Sequence, residues 1–179
     1  MNIIGKGGFA SEVAAYFNEV KHYIEPAYLG AEGVLDINEC KGPALIAIGD
    51  PVLKERLHKQ YNIELATVNK GISYSPISPG SIICHGVVIT VNVELGCCVI
   101  VNLNSTIGHD SVIGDYTTIS PGANISGNTA IGKRCYIGTN AVIREKIQIC
   151  DDVVIGAGAV VVKNIVEPGT YVGSPCKKI

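Results

Sequence analysis

Every sixth residue from Ile77 onward is aliphatic: Ile77, Ile83, Ile89, Leu95, Val101, Ile107, Ile113, Ile119, Ile125, Ile131, Ile137, Ile143, Ile149, Ile155 and Val161. A helix cannot use this spacing, because at 3.6 residues per turn a six-residue step carries apolar positions around the cylinder instead of along one face. A hexapeptide period is the signature of a parallel β-helix, in which three short strands and three corners close one triangular turn. Fifteen hexads then give about five coils, each stacked strand on strand at a spacing of about 4.8 Å. Residues 18 apart fall into columns.

A second register, four residues after each aliphatic, runs Ser81, Val87, Val93, Val99, Ser105, Ser111, Thr117, Ala123, Thr129, Cys135, Ala141, Ile147, Val153, Ala159 and Ile165. These residues are small or apolar, as close packing near a corner requires. Gly, Asn and Asp recur around the turns, where a positive φ is cheap for Gly and tolerable for Asn and Asp. The absence of Trp and the presence of only two Phe agree with a core of small and β-branched side chains.

Before Ile77 the pattern changes. Asn2 to Ile4, Lys21 to Ile24 and Ala44 to Ile48 read as strands, Phe9 to Val20 as a helix, and Pro51 to Tyr61 as a helix opened by Asp50 as N-cap with Pro51 in its first turn. Alternating strands and helices predict a small parallel sheet, a reduced Rossmann-like unit over residues 1–70, followed by the repeat over residues 71–179. Gly5-Lys6-Gly7-Gly8 leaves the first strand and opens the first helix, where backbone N–H groups can hold a phosphate or simply make a tight turn. Between Gly30 and Gly42 no ribose-binding acid stands out, although Glu25, Glu32 and Asp36 are available.

A net charge of -2 gives no basic field for nucleic acid. No apolar stretch approaches the roughly 18 residues of a membrane span, and the N-terminal residues lack the pattern of a secretory signal. Seven cysteines with no CxxC pair predict reduced thiols and a cytoplasmic location.

Two of the four histidines, His85 and His109, lie in the repeat. His109 follows Gly108 on a corner and is expected to point outward, where an imidazole suits general-base work; Asp110 is placed to orient it. One column step above His109 is Gly127, whose bare N–H is a candidate oxyanion donor. His85 has Leu103 as its column neighbour and reads as structural. Ser111 takes an inward register, and no Cys or Ser stands beside His109 to form a covalent relay, so direct transfer is expected. A γ-type carbonic anhydrase would need three histidines converging on zinc, and the repeat supplies two, 24 residues apart; no metal is expected.

Several segments together carry a family resemblance: Ile3-Ile4-Gly5-Lys6-Gly7-Gly8, Val101-Asn102 to Ser105, Gly108-His109-Asp110 with Ile113-Gly114-Asp115, Ile119-Ser120-Pro121-Gly122-Ala123, Gly127-Asn128, Ile155-Gly156-Ala157-Gly158-Ala159-Val160-Val161 and Val172-Gly173-Ser174-Pro175. Over nearly its whole length the chain resembles the left-handed β-helix sugar acetyltransferases, typified by sialic acid O-acetyltransferase and bacillosamine N-acetyltransferase. The resemblance implies the left-handed sense, acetyl-CoA as co-substrate, and a homotrimer with active sites between neighbouring β-helices.

On the same resemblance His109 is the base, Asp110 its support and the Gly127 N–H the polariser of the thioester. Thr118, Thr139 and Ala157 lie along the acyl-donor path, with Lys163, Pro175 and Lys177 at its adenine and phosphate end. Gly5, Gly7, Gly8, Phe9 and Asn102 contact the nucleotide-linked sugar. Phe9 and Thr118 stand where relatives often have His. The expected substrate is a UDP- or dTDP-linked 4-amino-4,6-dideoxy sugar acetylated on its amine. O-acetylation of a sugar such as sialic acid, and a non-catalytic trimeric scaffold, are the alternatives.

Overall fold

The computed structural model describes residues 1–28 and 32–179. Residues 29–31, of which 30 and 31 begin the 30–42 stretch that offered no clear ribose-binding acid, lie outside the described residues. The chain begins with a parallel sheet of β1 (Asn2–Ile4), β2 (Lys21–Ile24), β3 (Val34–Asp36) and β4 (Ala44–Ile46) in the order β3-β2-β1-β4. Helix α1 spans Gly8–Ala14 and α2 spans Pro51–Tyr61. Asp50 caps α2 by accepting the Leu53 N–H at 2.8 Å, and Asn62 closes it in the left-handed region at φ 46°.

Helix α1 ends at Ala14, short of the expected Val20. There the bonds tighten to three-residue spacing, Tyr16 to Val13 and Phe17 to Ala14, and the following aromatics turn onto the repeat. Strand β3 escapes sequence reading because three residues cannot establish a period.

From Val68 onward the chain winds as a triangular parallel β-helix. The first face stacks Val68–Asn69, Ile82–Ile83, Ile100–Val101, Thr118–Ile119, Tyr136–Ile137 and Val153–Ile155. The second stacks Ile72–Ser73, Val88–Ile89, Thr106–Ile107, Asn124–Ile125, Val142–Ile143 and Val160–Val161; the third Glu94–Leu95, Val112–Ile113, Ala130–Ile131 and Gln148–Ile149. Between Ile82 and Val161 the register is 18 residues, as in Ile100↔Thr118 and Thr118↔Tyr136, and it shortens at the ends, to 14 in Val68↔Ile82 and 16 in Ile72↔Val88 and Val153↔Gly169. At the end of the first face Gly169–Val172 adds in parallel to Val153–Ile155 and pairs antiparallel with Lys177–Lys178.

All the aliphatics of the hexad register from Ile83 to Val161 join one core, none more than 8% exposed, with Ile77 packed at its edge. The second register is buried beside them. Its hydroxyls are satisfied by carbonyls of the next coil: Ser105 donates to Ser120 O at 2.9 Å and Thr117 to Gly132 O at 2.9 Å. A small polar residue therefore costs the core little, since no buried side-chain N or O is left without a partner among the described residues.

The N-terminal sheet and its helices dock on the lower part of the first face. Phe9, Tyr16 and Phe17 pack against a cluster containing Ile82, Cys84 and Ile100. Helix α2 adds polar links: His58 Nδ1 bonds the Tyr116 hydroxyl at 2.9 Å, and Glu55 faces Arg134 at 3.6 Å. Lys54, only 1% exposed, reaches the Thr118 hydroxyl.

Candidate active site

The corner joining the second and third faces carries Val91-Asn92, His109-Asp110, Gly127-Asn128, Glu145-Lys146 and Lys163 in successive coils. The His109-Asp110 turn is fixed from both sides: the Asp110 N–H donates to Val91 O at 3.2 Å, and His109 O accepts from the Asn128 N–H at 2.8 Å. Asp110 and Asn128 take positive φ values of 58°, which Asp and Asn tolerate with little strain. The chain thus projects the imidazole outward, with its side chain 57% exposed.

Asp110 Oδ2 lies 2.7 Å from His109 Nδ1. With Nδ1 engaged as donor, Nε2 is left as the basic nitrogen. The carboxyl of Asp110 is held below its ordinary range, first by the bond to His109 and then by the Asn92 amide. A Cβ built on Gly127 would fall 2.7 Å from His109 Nε2, so the ring occupies the space a side chain there would need. The Gly127 N–H finds no acceptor among the described residues. A base nitrogen and an open amide donor therefore share one edge of the prism, one coil apart.

Ser111 offers no competing nucleophile there. Ser111 is fully buried and donates to Ser126 O at 3.4 Å. Burial drives the Cys98 thiol up to about 12, and the cysteines are all free thiols. No group of three or more His, Cys, Asp or Glu is placed to hold a metal ion among the described residues.

The other expected site residues fall into separate places. Thr139, Ala157 and Asn102 share the corner between the first and second faces. Thr139 and Ala157 are exposed there, and their N–H groups have no acceptor among the described residues. Asn102 folds back, its Oδ1 accepting the Leu103 N–H at 2.7 Å. Thr118 is not brought to either corner: it is 3% exposed and lies beneath α2, bonded to Lys54. Lys163, Pro175 and Lys177 are brought together, lining with Tyr171 and Cys176 a cavity of about 290 Å³ at the far end of the coil.

In the N-terminal unit Gly5 is buried at φ 123°, its carbonyl bonded to His22 Nδ1 at 2.8 Å, while Gly7 and Gly8 are exposed at the start of α1. Phe9 is half-buried against the repeat. Of the acids considered, Glu25 is held by Arg56 through two bonds of 2.8 and 2.6 Å, and Asp36 caps a short turn by accepting the Asn38 N–H. Sequence reasoning missed Lys54 and Asn92. Helix α2 gives no sign that Lys54 is buried, whereas Asn92 was within reach, being one column step below Asp110.

Residues 128–163 match the bacterial transferase hexapeptide family. The acetyltransferase domain of PglB from Neisseria gonorrhoeae FA1090 is 27% identical, superposes with a TM-score of 0.86, and the match covers 99% of this chain and 98% of that one. WeeI from Acinetobacter baumannii AYE gives the same figures. PerB from Caulobacter crescentus, solved with CoA and GDP-perosamine, is 25% identical with a TM-score of 0.87 over 99% and 96% of the two chains. The chain resembles the left-handed β-helix sugar acetyltransferases over its whole length. The PglB domain has also been solved with acetyl coenzyme A. Within this sugar-acetyltransferase fold the N-terminal sheet, the repeat and the terminal hairpin all have counterparts, since almost no part of either chain is left unmatched. No helix among the described residues is long and apolar enough to cross a membrane.

Proposed function

We propose that this protein transfers the acetyl group of acetyl-CoA to the amine of a nucleotide-linked 4-amino-4,6-dideoxy sugar by direct attack. One observation carries the reading: His109, bonded through Nδ1 to Asp110, sets its Nε2 against Gly127, whose N–H has no acceptor among the described residues. The amine nitrogen attacks the thioester carbonyl carbon as Nε2 removes its proton. The oxygen gains negative charge, which the Gly127 N–H stabilises. Collapse of the tetrahedral intermediate expels the CoA thiolate, which takes that proton from the imidazolium and restores the neutral base, and Asp110 supports the imidazolium in between.

The pantetheine arm runs past the Thr139 and Ala157 amides toward Lys163, Pro175 and Lys177, whose cavity suits the adenine and phosphates. Because the His109 and Thr139 corners belong to different edges, the complete site forms between neighbouring copies of a homotrimer. The N-terminal unit, residues 1–70, acts as a Rossmann-like holder of the nucleotide through Gly5, Gly7, Gly8 and Phe9, with Asn102 near the sugar; residues 71–179 carry the chemistry. UDP and dTDP are the expected carriers, and GDP joins them because PerB was solved with GDP-perosamine. The reaction belongs in the cytoplasm, where acetyl-CoA and nucleotide sugars are found.

The test is thiol release from acetyl-CoA with UDP-, dTDP- and GDP-linked 4-amino sugars. The native protein is expected to turn over one of them and His109→Ala to lose at least about a hundredfold in kcat, within the usual range for a general base. Acetyl transfer by His109→Ala at the native rate would remove the assignment.

A further inference from the structure

Asp110 is held from two directions, and only one of them is His109. Asn92, one coil below at the same corner position, donates from Nδ2 to Asp110 Oδ1 at 3.0 Å, leaving Oδ2 for His109 Nδ1 at 2.7 Å. The three side chains form a line, amide to carboxylate to imidazole, with each Asp110 oxygen given to one partner.

The prism supplies its own comparison. At the corner between the third and first faces, Arg134 and Asp152 occupy the same corner position one coil apart, with φ 54° and 60° against 56° and 58° for Asn92 and Asp110. There the guanidinium takes both oxygens of the carboxylate, at 2.7 and 2.8 Å. Asp115 at that corner is likewise tied to a cation, Lys133, and to the Cys97 N–H. Among the described residues Asp110 has neither a lysine or arginine nor a backbone N–H on its carboxylate. A neutral amide stands in that place, fixing the rotamer without cancelling the negative charge and without occupying the second oxygen.

We infer that Asn92 is a positioning residue for the acetyl transfer: its amide aims the Asp110 carboxylate at His109 Nδ1 and so sets which imidazole nitrogen acts as base. This rests on the catalytic reading of His109 given above. An arginine in place of Asn92 would make the corner like its neighbour, seizing both oxygens and releasing the imidazole, and Arg134 shows that the backbone there accepts arginine.

The decisive experiment combines kinetics with NMR of the histidine ring nitrogens. Asn92→Gly, which keeps the left-handed turn, is expected to lower kcat about tenfold, the worth of one hydrogen bond to a charged group, with the KM for acetyl-CoA unchanged. The same change in an Asp110→Asn background is expected to cost nothing further, because Asn92 acts through the carboxylate. Asn92→Arg is expected to fall to the level of Asp110→Asn while keeping the native melting temperature. In parallel the bonded Nδ1 proton resonance of His109 should weaken in both Asn92 variants, a readout independent of substrate identity. Equal losses in both backgrounds, or an unchanged His109 resonance and kcat in Asn92→Arg, would overturn the inference while leaving the His109 assignment standing.

Discussion

Lys54 Nζ donates to the Thr118 hydroxyl at 3.0 Å across the junction between α2 and the β-helix, with the Thr117 carbonyl at 3.5 Å as its other neighbour. Among the described residues no carboxylate bonds it directly. A cation so enclosed is costly unless it gives up its proton, and burial brings Lys54 down from 10.5 to about 7, with Cys98 and Asp50 pulling weakly the other way.

The sign of the pH dependence follows. Between about 7 and 10.5 the unfolded chain holds a proton that the folded one has released. The contribution of Lys54 is therefore complete above its unfolded pKa, shrinks as pH falls, and is lost once pH passes through about 7. Stability relative to Lys54→Met should rise from pH 7 to 9.5 by at most about 1.4 kcal/mol per pH unit, the buried thiols being common to both proteins. Urea midpoints of the native protein and Lys54→Met across that range check it: the gap between them should move in favour of the native protein as pH rises.

Gly127 has an ordinary backbone conformation, so glycine is needed there for room and not for φ. Gly127→Ala should fold normally yet push the imidazole out of line, lowering kcat about a hundredfold, as a displacement near 1 Å commonly does. Native kcat in Gly127→Ala, with an unaltered melting temperature, would show that ring and amide need not lie so close.

The cavity lined by Lys163 and Lys177 places two exposed cations where the donor's phosphates are proposed to sit. Replacing both with Glu should raise the KM for acetyl-CoA roughly tenfold, summing two surface ion pairs, and change kcat by less than about twofold. The gap should narrow in high salt, since exposed charges are screened. Initial rates at two ionic strengths decide it.

In the core, Ile137 is fully buried at the middle of the stack, with Ile119 below and Ile155 above in register. Ile137→Ala leaves a hole that two stacked neighbours cannot close, and the expected loss is about 2–5 kcal/mol. Chemical denaturation monitored by circular dichroism gives the number directly. Val142→Ala, at an exposed position on the second face, should cost less than about 1 kcal/mol by the same measurement.

Much of this was legible from residue spacing alone, because an 18-residue register turns arithmetic into geometry. That is why His109, Asp110 and Gly127 could be placed on one edge before any coordinates. The same arithmetic assigns Thr139 and Ala157 to another edge, a step the sequence reading did not take. What spacing cannot show is which face a neighbouring unit covers. Thr118 is outward by register and looks available to a ligand, yet α2 lies over it; Lys54 belongs to a helix with a charged sequence, yet it is the buried side chain of the junction. The ends of α1 and the brief β3 were set by tertiary packing, which short segments do not encode.

The uniform register also makes distance along the prism a quantised property. His109 and Lys163 stand three coils apart on one edge, about 14 Å at the spacing of stacked strands. Deleting or duplicating one whole turn would change that span by a fixed increment of about 4.8 Å and leave every inward side chain meeting its accustomed kind of neighbour. Any other change in length would scramble the facing of everything above it. A chain built this way can retune its reach only in whole storeys.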